Sequence, residues 1–274
     1  MGNTEEGKAG MTEAERLRDK ILAENITLHR IEAKFYDRIH PEEFNWFEQG
    51  YIWKDLRFLR ARMPAGSSVL DLGCGTGNLF LKLLGLGFTM RGVDISPDMA
   101  GILEQKIPPQ AKDRAKVIVA NVDEFIADCG QEFDCIVMSS VLHHLPDYIR
   151  TLEQALKLLK PGGWLYITHE PTREALAVDP FLRKILWQLD NIVYNAIFFR
   201  KTPVLEGRNF HLSDYHLYHC FDEDKVGACC RDSGVTIIKL RKYASAMRLG
   251  ICCWFDSRVI ASKRQFSLIG RKEL

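Results

Sequence analysis

Short apolar runs and helical stretches alternate through the middle of the chain. Ser68–Leu72 is an apolar run, and a helical pattern follows from about Asn78 to Leu86. Phe88–Val93 is a second run, followed by a predicted helix from Pro97 to about Lys106. Val117–Ala120 and Cys135–Met138 are further runs, with a short helix between them near Glu124–Cys129. Pro146–Leu159 reads as helix and Gly163–Thr168 as a fifth run. Runs without polar alternation are strands buried on both faces, and strands separated by helices build a parallel sheet. The pattern predicts an α/β fold with a doubly wound sheet.

The flanks follow a different rhythm. Residues 1–11 read as a disordered tail, and residues 12–64 as a helical segment that covers the site. Its first helix runs from Thr12 to about Ile39 through Leu17, Ile21, Ile31 and Phe35, and ends before Pro41. A second, aromatic-rich helix carries Phe44, Trp46, Phe47, Tyr51, Trp53, Leu56 and Leu59 before Pro64-Ala65-Gly66 breaks it. The sheet core occupies 65–170, and 171–221 reads as an inserted helical cap. Residues 222–274 complete the core with a helix near Asp222–Asp232 and two strands, Val235–Tyr243 and about Ser257–Ser262, the final strand antiparallel.

Within the cap, Phe181–Phe199 is amphipathic. Phe181, Leu182, Ile185, Leu186, Leu189, Ile192, Val193, Ala196 and Ile197 share one face, opposite Lys184, Gln188, Asn191 and Asn195. Three readings stay open: a lid over an acceptor pocket, a homodimer contact, or a membrane-surface helix. The last suffers from the few basic residues on the polar face. Arg183, Lys184 and Asp190 exclude stable insertion across a membrane.

Composition narrows the class. The 274 residues are 46% hydrophobic and 27% charged, as expected of a globular protein. Lys and Arg number 37 against 36 acids, so no basic surplus supports nucleic-acid binding. The polar opening holds no apolar leader, and a cytoplasmic protein is expected. Eight cysteines include no Cys-x-x-Cys pair, and reduced thiols are the natural reading. No metal is expected. His211, His216 and His219, with Asp214 and Tyr215, are taken as cap polar residues or substrate contacts, because their convergence cannot be read from the sequence.

The strongest chemical signal is VLDLGCGTGN, Val69 to Asn78, between the first strand and its helix. Gly73, Gly75 and Gly77 allow a sharp turn and close backbone approach to a ligand, and the next helix offers free N–H groups. A glycine-rich strand–helix turn alone is shared with dinucleotide enzymes. Here the spacing is Gly-x-Gly-x-Gly, Asp71 stands two residues before the first glycine, and Asp94 ends the second strand 21 residues beyond Gly73. A carboxylate at that tip can accept both ribose hydroxyls. Asn121-Val122-Asp123, FDCIVMSSVLHHLPD (Phe133–Asp147) and LKPGGWLYIT (Leu159–Thr168) follow in order.

Over residues 65–170 this series resembles the class I S-adenosylmethionine-dependent methyltransferases of the small-molecule, type 11-like group, which have a Rossmann-like sheet. The resemblance implies S-adenosyl-L-methionine as the cofactor and methyl donor. Gly73 and Gly75 would then contact its methionyl part with Asp71 beneath, Asp94 and the adjoining Ile95 its ribose side, and Val122 its adenine. Asn121 stands where the family commonly has an Asp that accepts the adenine amino hydrogen. Met99 would cover the ring or belong to the helix core, Ser139 would lie along the methionine moiety, and Tyr36 would reach the donor. The acceptor is expected to be a small, partly apolar molecule methylated at an O, N or C nucleophile, with a lipid-like or isoprenoid acceptor at a membrane surface, or a non-catalytic donor-binding scaffold, as alternatives.

Methyl transfer to an oxygen or amine needs a free lone pair, which a histidine base can provide. His143 and His144 follow the fourth strand, where ligands bind in such sheets. Each is a candidate base or a positional residue. His169 and Glu170, past the fifth strand, are candidate substrate contacts.

Overall fold

The computed structural model describes residues 12–177, 179–198, 212, 221–244 and 247–274. Its centre is one seven-stranded sheet in the order β3-β2-β1-β4-β5-β7-β6. The strands are β1 (Ser68–Leu72), β2 (Thr89–Asp94), β3 (Ala115–Val119), β4 (Phe133–Ser139), β5 (Leu159–Pro171), β6 (Val235–Tyr243) and β7 (Gln265–Lys272). β1 pairs in parallel with β2 and β4, while β7 runs antiparallel to both β5 and β6. Val69, Leu70 and Leu72 are fully buried because helices cover both faces of β1, which is why its sequence does not alternate.

The helices are α1 (Glu13–Glu32), α2 (Tyr36–Ile39), α3 (Pro41–Phe44), α4 (Trp46–Arg60), α5 (Asn78–Gly85), α6 (Pro97–Lys106), α7 (Val122–Asp128), α8 (Tyr148–Lys157), α9 (Phe181–Phe198), α10 (Glu223–Asp232) and α11 (Gly250–Phe255). Their starts are written in short polar signals. Thr12 and Glu15 form a reciprocal capping box on α1. Asn45 caps α4 through the N–H groups of Phe47 and Glu48, and Ser96 with Pro97 opens α6. Above the sheet, Leu70, Ile136, Leu152 and Phe266 belong to one core; below it, Val69, Phe80, Leu59 and Tyr166 belong to another. The order of the strands reverses between β1 and β4, so a crevice opens at the carboxyl ends of these strands.

The expected final strand at Ser257–Ser262 is a correction. That stretch continues α11 as a π-helical turn, Asp256–Ile260, and the last strand lies further on at Gln265–Lys272. Asp256 is fully buried; it accepts hydrogen bonds from Arg183 Nε at 2.9 Å and Ser262 Oγ at 2.6 Å. These distant polar contacts fold the β-branched segment into a helix. The true strand carries Ser267 and Gly270, which weaken its apolar signature. Gly270 is needed there: a Cβ would stand 2.5 Å from Val235 Cγ1. The cap histidines His211, His216 and His219, with Asp214 and Tyr215, lie outside the described residues, as does the tail 1–11.

Candidate active site

The glycine loop after β1 builds the floor of the crevice. Gly73 sits at φ +73°, and a Cβ there would stand 2.3 Å from Val141 Cγ2. Gly75, at φ +50°, has nothing within 4 Å of an added Cβ, so its open side faces the crevice. Gly75 N–H donates to Asp94 Oδ2 at 2.7 Å, and Ser96 N–H donates to Asp94 Oδ1 at 2.8 Å. Asp94 is thus oriented by two backbone bonds with lone pairs to spare. Burial raises its pKa, opposed by those two bonds.

Two expected ligand positions fall outside this crevice. Gly77 begins α5 at φ +100°, and a Cβ would stand 2.5 Å from Leu103 Cδ1, so it serves helix packing. Asp71 is buried beneath the loop, where it accepts a backbone hydrogen bond from Phe80. Burial and the nearby Asp94 charge push its pKa up to about 8. Its work is to hold the start of α5.

The other expected donor positions converge. Gly73, Gly75, Asp94, Ile95, Met99, Asn121, Val122, Ser139 and Tyr36 line one cleft, together with His144. Asn121 also caps α7, its amide oxygen accepting Asp123 N–H at 2.8 Å. The oxygen expected to meet an adenine amino group is therefore already engaged once. Leu22, Asn25 and His29 of α1 complete the wall. Sequence reading missed them, although Asn25, His29, Glu32 and Tyr36 form a polar stripe at helical spacing on an otherwise amphipathic segment. Such a stripe facing inward is the available signal.

A second cavity adjoins the first. It is lined by His143, His144 and His169 from the ends of β4 and β5, and by His29, Tyr36, His40, Glu42 and Glu43 from the N-terminal segment. His29, Tyr36, Ser140 and His144 line both spaces. None of the described residues of α9 lines either one, so the expectation that its apolar face roofs the acceptor pocket is not met. Among the described residues the cover comes from α1 to α3.

The electrostatics separate the histidines. Glu170 is fully buried and lines neither cavity. It accepts the N–H groups of Val141 and Leu142 at 2.7 and 2.8 Å, and its other oxygen lies 2.8 Å from His143 Nδ1. Glu170 therefore clamps the loop after β4, and it opens onto neither cavity where an acceptor contact was expected of it. Burial opposes the charge of Glu170, but His143 and these bonds hold its pKa below the usual value.

His169, held at φ +57°, lies 3.6 Å from buried Glu48. Burial pulls its pKa down, yet Glu48 beside it and the charges of Glu43 and Glu42 outweigh burial and lift it to about 9. His40, between Glu32 and Glu42, is likewise lifted against burial to about 10. His29 goes the other way. Burial, then the neighbouring His144, His40 and His143, lower it to about 3, and its Nδ1 makes no hydrogen bond. Two cationic imidazoles and one neutral one thus face the same chamber. Among the described residues no cluster of three or more His, Cys, Asp or Glu could hold a metal ion.

Comparison with known proteins agrees with this architecture. Residues 44–240 match the family described as a methyltransferase domain. A ubiquinone biosynthesis O-methyltransferase of Thiobacillus denitrificans is 33% identical over 145 residues, covering 50% of this chain and 60% of that protein. A demethylmenaquinone methyltransferase of Halalkalibacterium halodurans is 24% identical over 241 residues, 82% of this chain and 91% of that protein. The chain spans little more than half the length of the Thiobacillus enzyme and of a similar one from Xanthomonas axonopodis, 60% and 53%. Among solved structures, magnesium protoporphyrin IX methyltransferase from Synechocystis PCC 6803 with bound SAM superposes with a TM-score of 0.57 at 16% identity, covering 97% and 99% of the two chains. A [4+2]-cyclase superposes at 0.53 with 16% identity, covering 84% and 83%, so likeness at this level speaks for the fold and not the chemistry. With a family match over most of its length, the chain belongs to the methyltransferase-domain family.

Proposed function

We propose that this protein is an S-adenosylmethionine-dependent methyltransferase acting on a small, partly apolar acceptor that presents an aromatic hydroxyl. One observation carries the reading: the cleft lined by Gly73, Gly75 and Asp94 shares His29 and His144 with an adjoining chamber lined by imidazoles. The name of the Thiobacillus relative, an O-methyltransferase of ubiquinone biosynthesis, supports methylation at oxygen.

Asp94 would hold the donor ribose, Gly73 and Gly75 its methionyl part, and Asn121, Val122 and Met99 its adenine. When bound, the sulfonium supplies an already activated methyl group, so the protein must align the acceptor and exclude water. The hydroxyl must also lose its proton. His29, lowered by burial to about 3, is far too weak a base to take the proton of a phenol. It can accept a hydrogen bond and orient the acceptor. The base is assigned to His144, which borders both spaces, while charged His169 and His40 attract the developing oxyanion.

Calorimetry with S-adenosylmethionine, its demethylated product and NAD tests the donor half. In Asp94→Ala the affinity for S-adenosylmethionine should fall on the order of a hundredfold, through lost charge-assisted bonds. Unchanged affinity, or NAD binding in its place, overturns the donor assignment. A panel of hydroxyquinols and catechols, followed by mass spectrometry for a gain of one methyl group, tests the acceptor half. His144→Ala should slow single turnover by about two orders of magnitude.

A further inference from the structure

Helix α9 buries charge: Arg183, Asp190 and Tyr194 are at most 6% exposed, and of its apolar residues Leu186 packs partly buried beside them. Arg183 donates to Asp256 at 2.9 Å and to Asp179 at 2.6 Å, and Asp190 accepts the N–H groups of Arg248 and Leu249, both at 2.8 Å. These bonds fix the rotation of the helix. They leave Phe181, Leu182, Ile185, Leu189, Ile192 and Val193 facing outward, with Phe181 79% and Ile192 64% exposed. The adjoining turn packed against α9 adds exposed Ile251, Trp254 and Val259. A run of large apolar side chains on the surface is the mark of an interaction site.

The charges around this face choose the occupant. The acids of these elements point inward: Asp190 and Asp256 are buried, and Asp179 is taken up by Arg183 and Arg264. The exposed charges on α9 and on 250–263 are Lys184, Arg258 and Lys263. An apolar stripe rimmed by cations suits a layer of anionic headgroups over acyl chains. Two copies meeting through the same patch would instead bring like charges together. The helix lies on the surface and does not span it; among the described residues no helix is long and apolar enough to cross a membrane.

We propose that α9 and the 250–263 segment form a docking face for an anionic lipid bilayer, on which the protein adsorbs reversibly with its apolar stripe at the headgroup–acyl boundary. The proposal holds whatever acceptor the active site takes. Flotation with vesicles of phosphatidylcholine, and of phosphatidylcholine and phosphatidylglycerol in equal parts, tests it on the full chain. Binding is expected on the anionic vesicles, weaker at high salt, with a blue shift of tryptophan emission. Ile192→Asp and Leu189→Asp should abolish it, and the double substitution Lys184→Glu, Arg258→Glu should weaken it by about tenfold or more. Because these side chains are solvent-exposed, circular dichroism and the calorimetric affinity for S-adenosylmethionine should stay at wild-type values in every variant. Absence of vesicle binding overturns the proposal, as does binding that survives Ile192→Asp. A concentration-dependent dimer that Ile192→Asp disperses, without vesicle binding, assigns the face to a second copy of the chain and also overturns it.

Discussion

Thr76 Oγ donates to Asp37 Oδ1 at 2.7 Å, and this bond joins the glycine loop to the segment that closes the site. Lys106 Nζ donates to the other Asp37 oxygen at 2.7 Å and to the Thr76 carbonyl at 3.2 Å. The latch lies one residue from Tyr36, which lines both cavities. The glycine loop and the segment that carries Tyr36 are thereby tied to each other.

The latch should matter more for binding than for folding. Asp37 is half exposed, so Asp37→Ala removes bonds worth roughly 1 kcal/mol in total stability. Donor affinity should fall by about three- to tenfold as the flap loosens, with a faster dissociation rate measured in stopped flow. Equal rates in wild type and variant would mean that the segment closes without this contact.

Two glycines of the loop should separate binding from stability. Gly75 faces open space in the cleft, whereas a Cβ at Gly77 would collide with Leu103. Both have positive φ, so each substitution carries a backbone cost of about 1 kcal/mol. Gly75→Val should lose donor binding, its branched side chain filling the space the ligand needs, while keeping most of its stability. Gly77→Val should lower the urea midpoint well beyond Gly75→Val, because Leu103 and Leu81 must move. The reverse ranking in paired calorimetry and urea titrations would exchange their roles.

The same contrast shows what the sequence could carry. Strand, glycine turn and Asp94 are neighbours in a local code; Ile95, Asn121 and Ser139 sit at or just past strand ends, and Met99 and Val122 in the first turn of the helices that follow, where parallel topology delivers them to one crevice. Gly77 and Asp71 belong to the same code, yet only the packing of Leu103 and the burial under α5 separate them from ligand positions. His29 and Asn25 were hidden because α1 docks from a distant part of the chain. The rotation of α9 was hidden for a similar reason. Its apolar side should face inward by hydrophobicity alone, and ion pairing of Arg183 with Asp256, 73 residues away, overrides that.

Glu170 gives a third prediction. A glutamine there keeps the size but offers one acceptor oxygen and turns an NH2 group toward N–H donors. At about 1.5–3 kcal/mol per hydrogen bond to a charge, partly offset by relief of the buried charge, Glu170→Gln should cost about 3 kcal/mol. For a chain of this size that is roughly 6–12 °C in Tm. Donor affinity should fall with it, because Val141, which the clamp holds, packs on Gly73 and lines the cleft. A variant with unchanged Tm and donor affinity but no turnover would return Glu170 to direct contact with the acceptor.

The last prediction follows from the opposite shifts of the chamber histidines. His29 is lowered to about 3 against 6.5 for an unburied imidazole, so the folded chain binds fewer protons there than the unfolded one. Its contribution to stability is complete above pH 6.5 and drains away as pH falls toward 3, by as much as about 1.4 kcal/mol per pH unit. His169 and His40 are raised to about 9 and about 10, so their contribution is complete below pH 6.5 and is lost as pH climbs through those values. The two effects occupy different windows and cannot mask each other. Below about pH 5 the carboxylates begin to titrate, which leaves the interval from 6.5 to about 5 as the place to look. His29→Gln preserves polarity and approximate size while removing the titration. Urea midpoints across that interval should decline more gently in His29→Gln than in wild type, and His40→Gln should flatten only the alkaline limb. Parallel acid limbs would place the His29 ring in contact with solvent and remove it from the wall that the two cavities share.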